Sequence, residues 1–178
     1  VNLNGFNLSS LCCFYLDNNN MTLCTGLWCI FLRLTTYNVI FVTGILLARQ
    51  IWNVPKFFID IVRAISLGIV ISVLYIHIIY DPNIIIDIYK RIFPIDLPID
   101  IYYICDIILH ILPVIIFGLP QNFLSVIIGL LIIWIWYGSL YSHIQYLYSP
   151  NISMKEYNRI IIVYTPIMML AIYLFSHC

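Results

Sequence analysis

Apolar residues run along this chain in long unbroken stretches, not in the strict alternation that marks a half-buried strand. A helix needs about 20 mostly apolar residues to cross a bilayer. Five stretches approach or exceed that length: 27–48, 57–80, 99–118, 123–144 and 159–175. In lipid only helices and closed barrels satisfy their own backbone groups, and continuous runs argue against the barrel. The pattern predicts an all-α integral membrane protein, a single polytopic domain over 1–178 with about five transmembrane helices. The weakest stretch is the first, which holds Arg33, Thr35, Thr36 and Asn38. Arg33 lies near its start, where a long side chain can reach the headgroups. If 27–48 lies partly outside the bilayer, four spans remain.

Polar punctuation separates the stretches. "NVPK" precedes the second, "DPN" follows it, and "LPQN" divides the third from the fourth. Between the second and third lies "DPNIIIDIYKRIFPIDLP". Asp81 can cap a helix with Pro82 in its first position. Ile84, Ile85, Ile88 and Ile92 then share one face and Asp87, Lys90 and Arg91 the other. This predicts a short amphipathic helix over about 83–93 lying in the membrane interface. An ordinary extramembrane loop is the alternative.

Composition agrees with the pattern. The chain is 63% hydrophobic and 9% charged, against about 25% charged residues in soluble domains. Its formal net charge is zero, so nothing points to nucleic acid. Isoleucine, asparagine, tyrosine and phenylalanine are abundant, while alanine occurs only at positions 48, 64 and 171. That skew fits an AT-rich coding genome, organellar, viral or protist, and hence a mitochondrial inner membrane or a viral or endomembrane location. The first 20 residues lack the basic region of a signal peptide, and none is expected. Cys12, Cys13, Cys24 and Cys29 do not have zinc-site spacing. Free thiols are favoured there over a disulfide between the two clusters.

Charge gives a weak orientation. With the N-terminus cytoplasmic, Lys90, Arg91, Lys155 and Arg159 fall inside and Arg49 and Lys56 outside, as positive-inside bias prefers. The sequons at Asn20 and Asn151 prefer the opposite arrangement. Trp52, Trp136, Tyr141, Tyr146 and Tyr148 fit interfacial anchors, and Trp134 lies too deep for that role.

Two patterns inside the stretches bear on function. Ala64, Gly68 and Ser72 recur every four residues, and Ser125 and Gly129 repeat the spacing once, as does Gly44 with Ala48. Small residues so spaced let another helix approach closely, from the same chain or from a partner. The second pattern is "DIYYICDIILHILP", 100–113. Asp106 and His110 are i,i+4 neighbours deep in an apolar run, where an unpaired carboxylate is strongly disfavoured. Arg63, three residues after Asp60, is the expected third member of their cluster. Such a group can clasp helices together, move protons, bind an ion or activate a water. Pro113 should kink the helix just beyond it. His77, His143 and His177 read as interfacial. No zinc-protease, serine-hydrolase or phosphate-loop motif is present.

The expected function is a non-enzymatic, multi-pass subunit of a larger membrane assembly. It would need no metal or cofactor beyond bound lipids, and its partners would be the bilayer and other membrane subunits. The competing class is an intramembrane enzyme or a proton or ion carrier using Asp106, His110 and Arg63.

Overall fold

Helix formation in this chain follows its apolar runs, and helix interruptions follow its prolines. A computed structural model describes residues 13–16, 22–25, 33–79, 84, 86, 98–141 and 152–178. The helices are α1 (Leu34–Ile51), α2 (Lys56–Ile79), α3 (Ile99–His110), α4 (Leu112–Phe117), α5 (Phe123–Ser139), α6 (Met154–Asn158) and α7 (Thr165–Ser176). A π-helical segment, Arg159–Tyr164, joins α6 to α7.

Two prolines explain the breaks. Pro113 has no N–H for the carbonyl of Leu109, and its ring crowds that turn. The helix is interrupted at Ile111, between α3 and α4. Pro166 removes the same bond to Ile162, and here the chain inserts an extra residue instead. The Thr165 N–H reaches back five residues to the carbonyl of Ile160, and the Thr165 hydroxyl donates to it at 2.7 Å. The Trp134 indole N–H donates to the neighbouring Ile161 carbonyl at 3.1 Å. That bond gives Trp134 a role that needs no headgroup.

Four of these units are long and apolar enough to cross a membrane: Leu34–Ile51, Lys56–Ile79, Ile99–Phe117 and Met154–Ser176. The fifth apolar helix, Phe123–Ser139, has 17 residues. At about 1.5 Å per residue it falls a few ångströms short of a ~30 Å hydrocarbon core. Its expected continuation over 142–144 lies outside the described residues, as does the expected beginning of the first span at 27–32. Of the expected interfacial helix over 83–93, only Ile84 and Ile86 are described; both are helical and buried.

A short antiparallel ribbon is the one regular non-helical element among the described residues, and the all-helical expectation holds for the rest of them. Cys13–Leu16 (β1) pairs with Thr22–Thr25 (β2), with Cys13 opposite Thr25. Strands of four residues are too short to show as alternation in a search for spans. "CFYL" and "TLCT" are nonetheless rich in aromatic and β-branched residues, and the Asp and Asn residues between them are turn formers.

The body of the protein is helical, and α2 is its hub. Half of the most apolar window of α2 is buried, against 22% for α1 and 17% for each of the other two long helices. The outer helices expose large apolar side chains such as Phe41, Leu47, Ile115, Ile167 and Phe175. Contiguous exposure of this kind is unfavourable in water and is consistent with a membrane protein. The small-residue positions lie where α2 meets its own chain. A Cβ on Gly129 would stand 2.7 Å from the Cβ of Ala64. One on Gly68 would press on Ile133 and on the Met169 sulfur. Ser125, one turn before Gly129, is fully buried. Ser72 lies 2.9 Å from the Thr165 hydroxyl and donates to the Gly68 carbonyl at 2.8 Å. The stripe on α2 is therefore occupied by α5 and α7, and a foreign helix is not needed to fill it. Gly44, by contrast, has nothing within 4 Å of its missing side chain.

These contacts give a direct test. Gly129→Val should lower stability by about 1–3 kcal/mol, the usual cost of overpacking, read as a fall in Tm in mild detergent. Gly44→Ala should leave Tm unchanged or raise it slightly. A Gly129→Val protein as stable as the parent would show that α2 and α5 do not approach this closely.

Candidate functional site

Ionisable side chains inside the apolar helices gather into two separate ties, one towards each end of α2. The first is built around Asp60. This carboxylate is 4% exposed and lies one turn into α2. Its Oδ1 accepts from the backbone N–H of Gln121 at 2.8 Å and its Oδ2 from that of Asn122 at 2.7 Å. Arg63, one turn further along, approaches Oδ1 at 3.3 Å through Nη1. Its Nε donates to the carbonyl of Phe117 at 2.6 Å. The pair thus grips both sides of the turn between α4 and α5. Gly118 in that turn has φ +79°, a left-handed conformation that glycine adopts without strain. Asn122 caps α5 by accepting from the Leu124 N–H at 2.8 Å. The Asp60 carboxylate therefore sits at the N-terminal end of α5, where helix dipoles favour negative charge.

The second tie is built around Asp106, 6% exposed on α3. His77, near the C-terminal end of α2, lies 2.9 Å from Oδ2 through Nε2. His110 lies 3.1 Å from Oδ1 through Nδ1, and the same nitrogen is 2.9 Å from the Asp106 backbone carbonyl. A carboxylate and a carbonyl only accept, so His110 Nδ1 carries a proton, and so does His77 Nε2. His110 Nε2 faces the Thr35 hydroxyl of α1 at 3.1 Å. One carboxylate thus connects three helices through a continuous path, Thr35–His110–Asp106–His77.

The geometry separates Arg63 from Asp106, two residues expected in one cluster. Arg63 belongs to the Asp60 tie and not to Asp106. Along α2, Arg63 and His77 are 14 residues apart, or about 21 Å. Asp106 pairs with the His77 end, because α3 runs antiparallel to α2. His77, expected at the interface from its position near a helix end, is a half-buried partner of Asp106 instead, and Thr35 joins the cluster unexpectedly. One signal for both was present. If consecutive helices alternate in direction, the last turn of α2 and the first turn of α1 lie level with the first half of α3.

Other polar side chains show the same economy. Ser66 donates to Asn38 Oδ1 at 3.0 Å, joining α2 to α1 with both residues buried. The Tyr137 hydroxyl donates to Asn158 Oδ1 at 2.9 Å, joining α5 to α6. Arg159 pairs with Glu156 at the surface. His177 is exposed and lies 2.8 Å from the Tyr173 carbonyl through Nδ1, while His143 and the cysteines at 12 and 29 lie outside the described residues. Among the described residues, no three His, Cys, Asp or Glu side chains are arranged to hold a metal ion. The imidazoles of His77 and His110 approach different oxygens of Asp106.

No protein-family model, no curated protein and no solved structure matches this chain.

If the two ties are independent, Arg63→Gln and Asp106→Asn should act additively on stability to within about 0.3–0.5 kcal/mol, as distant sites without shared partners do. Denaturant unfolding of both single variants and the double variant in detergent measures this. A coupling energy above about 1 kcal/mol would return Arg63 to the Asp106 cluster. Asp60→Ala should be the most damaging single change in the set. It leaves two backbone N–H groups without their acceptor and Arg63 with only the Phe117 carbonyl, and each buried donor so unpaired costs about 1–3 kcal/mol.

Proposed function

We propose that this chain is a multi-pass integral membrane protein with five spans, α5 being the shortest, and that it acts as a non-enzymatic subunit of a larger membrane assembly. The observation that carries the reading is how the ionisable side chains in the long helices are used. Asp60, Arg63, His77, Asp106 and His110 all join helices of this chain to one another. The outward faces of α1, α3–α4 and α7 stay apolar and are left for lipid or for neighbouring subunits. A carboxylate whose two oxygens are each met by an imidazole is suited to clasping. It is less suited to activating a water, which needs a free lone pair facing solvent.

A second reading, a proton or ion carrier, has one observation in its favour: the hydrogen-bonded path from Thr35 to His77 is unbroken across three helices. The composition favours an organellar or viral membrane under either reading.

The variant Asp106→Asn with His110→Gln separates the two. It keeps neutral hydrogen bonding but removes the carboxylate and one of the two imidazoles of the path. Under the subunit reading, the double variant should insert, fold and co-purify with the same membrane proteins as the parent. Its Tm should fall only modestly, since hydrogen bonds between membrane helices average about 0.6 kcal/mol. Proton flux in vesicles containing the parent but not the variant would favour the carrier. A parent protein that purifies as a stable, partnerless monomer would count against the subunit reading.

The five-span reading has its own test. Residues 52–55 and 118–122 and the C-terminus should share one side of the membrane, because Phe123 at the start of α5 packs on Tyr173 near the end of α7 (ring centroids 5.8 Å apart). In sealed vesicles, Cys178 and a cysteine placed at Asn53 should be labelled from the same side, the non-cytoplasmic one if the charge bias governs. Labelling from opposite sides would rule out five crossings.

A further inference from the structure

Between α1, α2, α5 and the π segment lies a cavity of about 60 Å³. It begins at Gly68, in the middle of α2, and follows that helix past Ser72 to Ile76. Ile160 and Ile161 of the π segment form part of its wall, and π-bulges are frequent at functional sites.

The chemistry of the walls selects the occupant. Apolar side chains dominate the lining, among them Ile69, Val73, Ile76, Ile133 and Ile161. Three of the four hydroxyls at its edge are engaged elsewhere: Thr35 with His110, Ser72 with the Gly68 carbonyl, and Tyr137 with Asn158. A buried water needs about two to four polar partners, and these groups have little left to offer. The volume admits a few carbon atoms and no headgroup. An apolar void left empty in a bilayer would forfeit dispersion contacts on every wall. A guest drawn from lipid gains such contacts without any hydrophobic transfer. Acyl chains end near the bilayer midplane, level with Gly68 if α2 spans symmetrically.

We infer that this cavity seats the methyl end of a phospholipid acyl chain. The inference rests on the membrane reading above, and its test keeps the two apart. The full chain is reconstituted in phosphatidylcholine vesicles containing a phospholipid with a diazirine near the end of one acyl chain. After irradiation, the labelled positions are mapped by mass spectrometry. Ile69, Val73, Ile76 and Ile161 should take severalfold more label than the outward-facing Leu47, Ile115 and Phe175. Val73→Phe, which narrows the cavity, should abolish that excess while labelling of the outward positions persists. Ile76→Phe serves the same purpose if the first variant does not fold. Equal labelling of cavity and outward positions overturns the inference and leaves the membrane reading standing. Labelling nowhere on the chain overturns both. A parallel run with a diazirine-bearing free fatty acid separates the sources: cavity labelling by the free acid and not by the phospholipid also overturns the inference.

Discussion

A carboxylate cannot face hydrocarbon alone, and that constraint organises this fold. Isolated ionised groups are so costly in an apolar medium that they must be paired or hydrogen-bonded. Asp60 and Asp106 meet the demand in different ways, towards opposite ends of α2. Asp60 takes its donors from one arginine and from the backbone at the start of α5. Asp106 takes its donors from two imidazoles on two helices. Each therefore fixes where a neighbouring helix stands relative to α2. Between the ties, Ala64 and Gly68 bring α2 against α5 and α7 too closely for any larger residue. The ties and the small-residue seam are mutually consistent. Sliding α5 along α2 by one residue would pull Gln121 and Asn122 off Asp60 and move Gly129 off Ala64.

Magnitudes show why the arrangement can be specific without being unusually stable. Hydrogen bonds between membrane helices contribute little on average, because the separated helices find other partners. Removing one member of a buried pair is another matter, since the remaining charge stays in an apolar setting. The ties therefore discriminate strongly against wrong helix registers while adding modestly to the right one. Packing along the seam supplies contacts over the whole length of α2, which is why its most apolar window is far more buried than those of the outer helices.

What the sequence made legible, and what it concealed, follows from the range of each interaction. Long apolar runs and i,i+4 spacings are local, so the helices, the small-residue stripe and the adjacency of Asp106 to His110 could all be read directly. The interruption at Ile111 follows from Pro113 for the same reason. Partner choice across helices is not local. Arg63 looked available to Asp106 only while Asp60 was treated as a bystander. Asp60 lies one turn away, so pairing with it leaves the long side chain free to reach Phe117. His77 was set aside because a histidine near a helix end can reach water, yet the end of α2 abuts the first half of α3. The π segment is not legible because Pro166 lies inside an apolar run long enough to be a single span. Absorbing it without a break needed the Thr165 hydroxyl and the Trp134 indole, which lies about 30 residues earlier in the chain.

The choice between clasp and chemistry turns on access. The cavity beside α1 is bordered by Thr35 but not by His110, Asp106 or His77. A hydrolytic or ion-binding role needs the carboxylate to meet its substrate, and here both of its oxygens already meet imidazoles. Proton transfer makes a weaker demand, since a proton can pass along hydrogen bonds with no open space at all. Each imidazole would then have to release a proton from one nitrogen while gaining one at the other. For His110 the second nitrogen faces a threonine hydroxyl, which can both accept and donate. Thr35 is also the member of the path that borders the cavity. If the path moves protons, they enter or leave beside Thr35. If it does not, that hydroxyl simply anchors the first turn of α1 to α3.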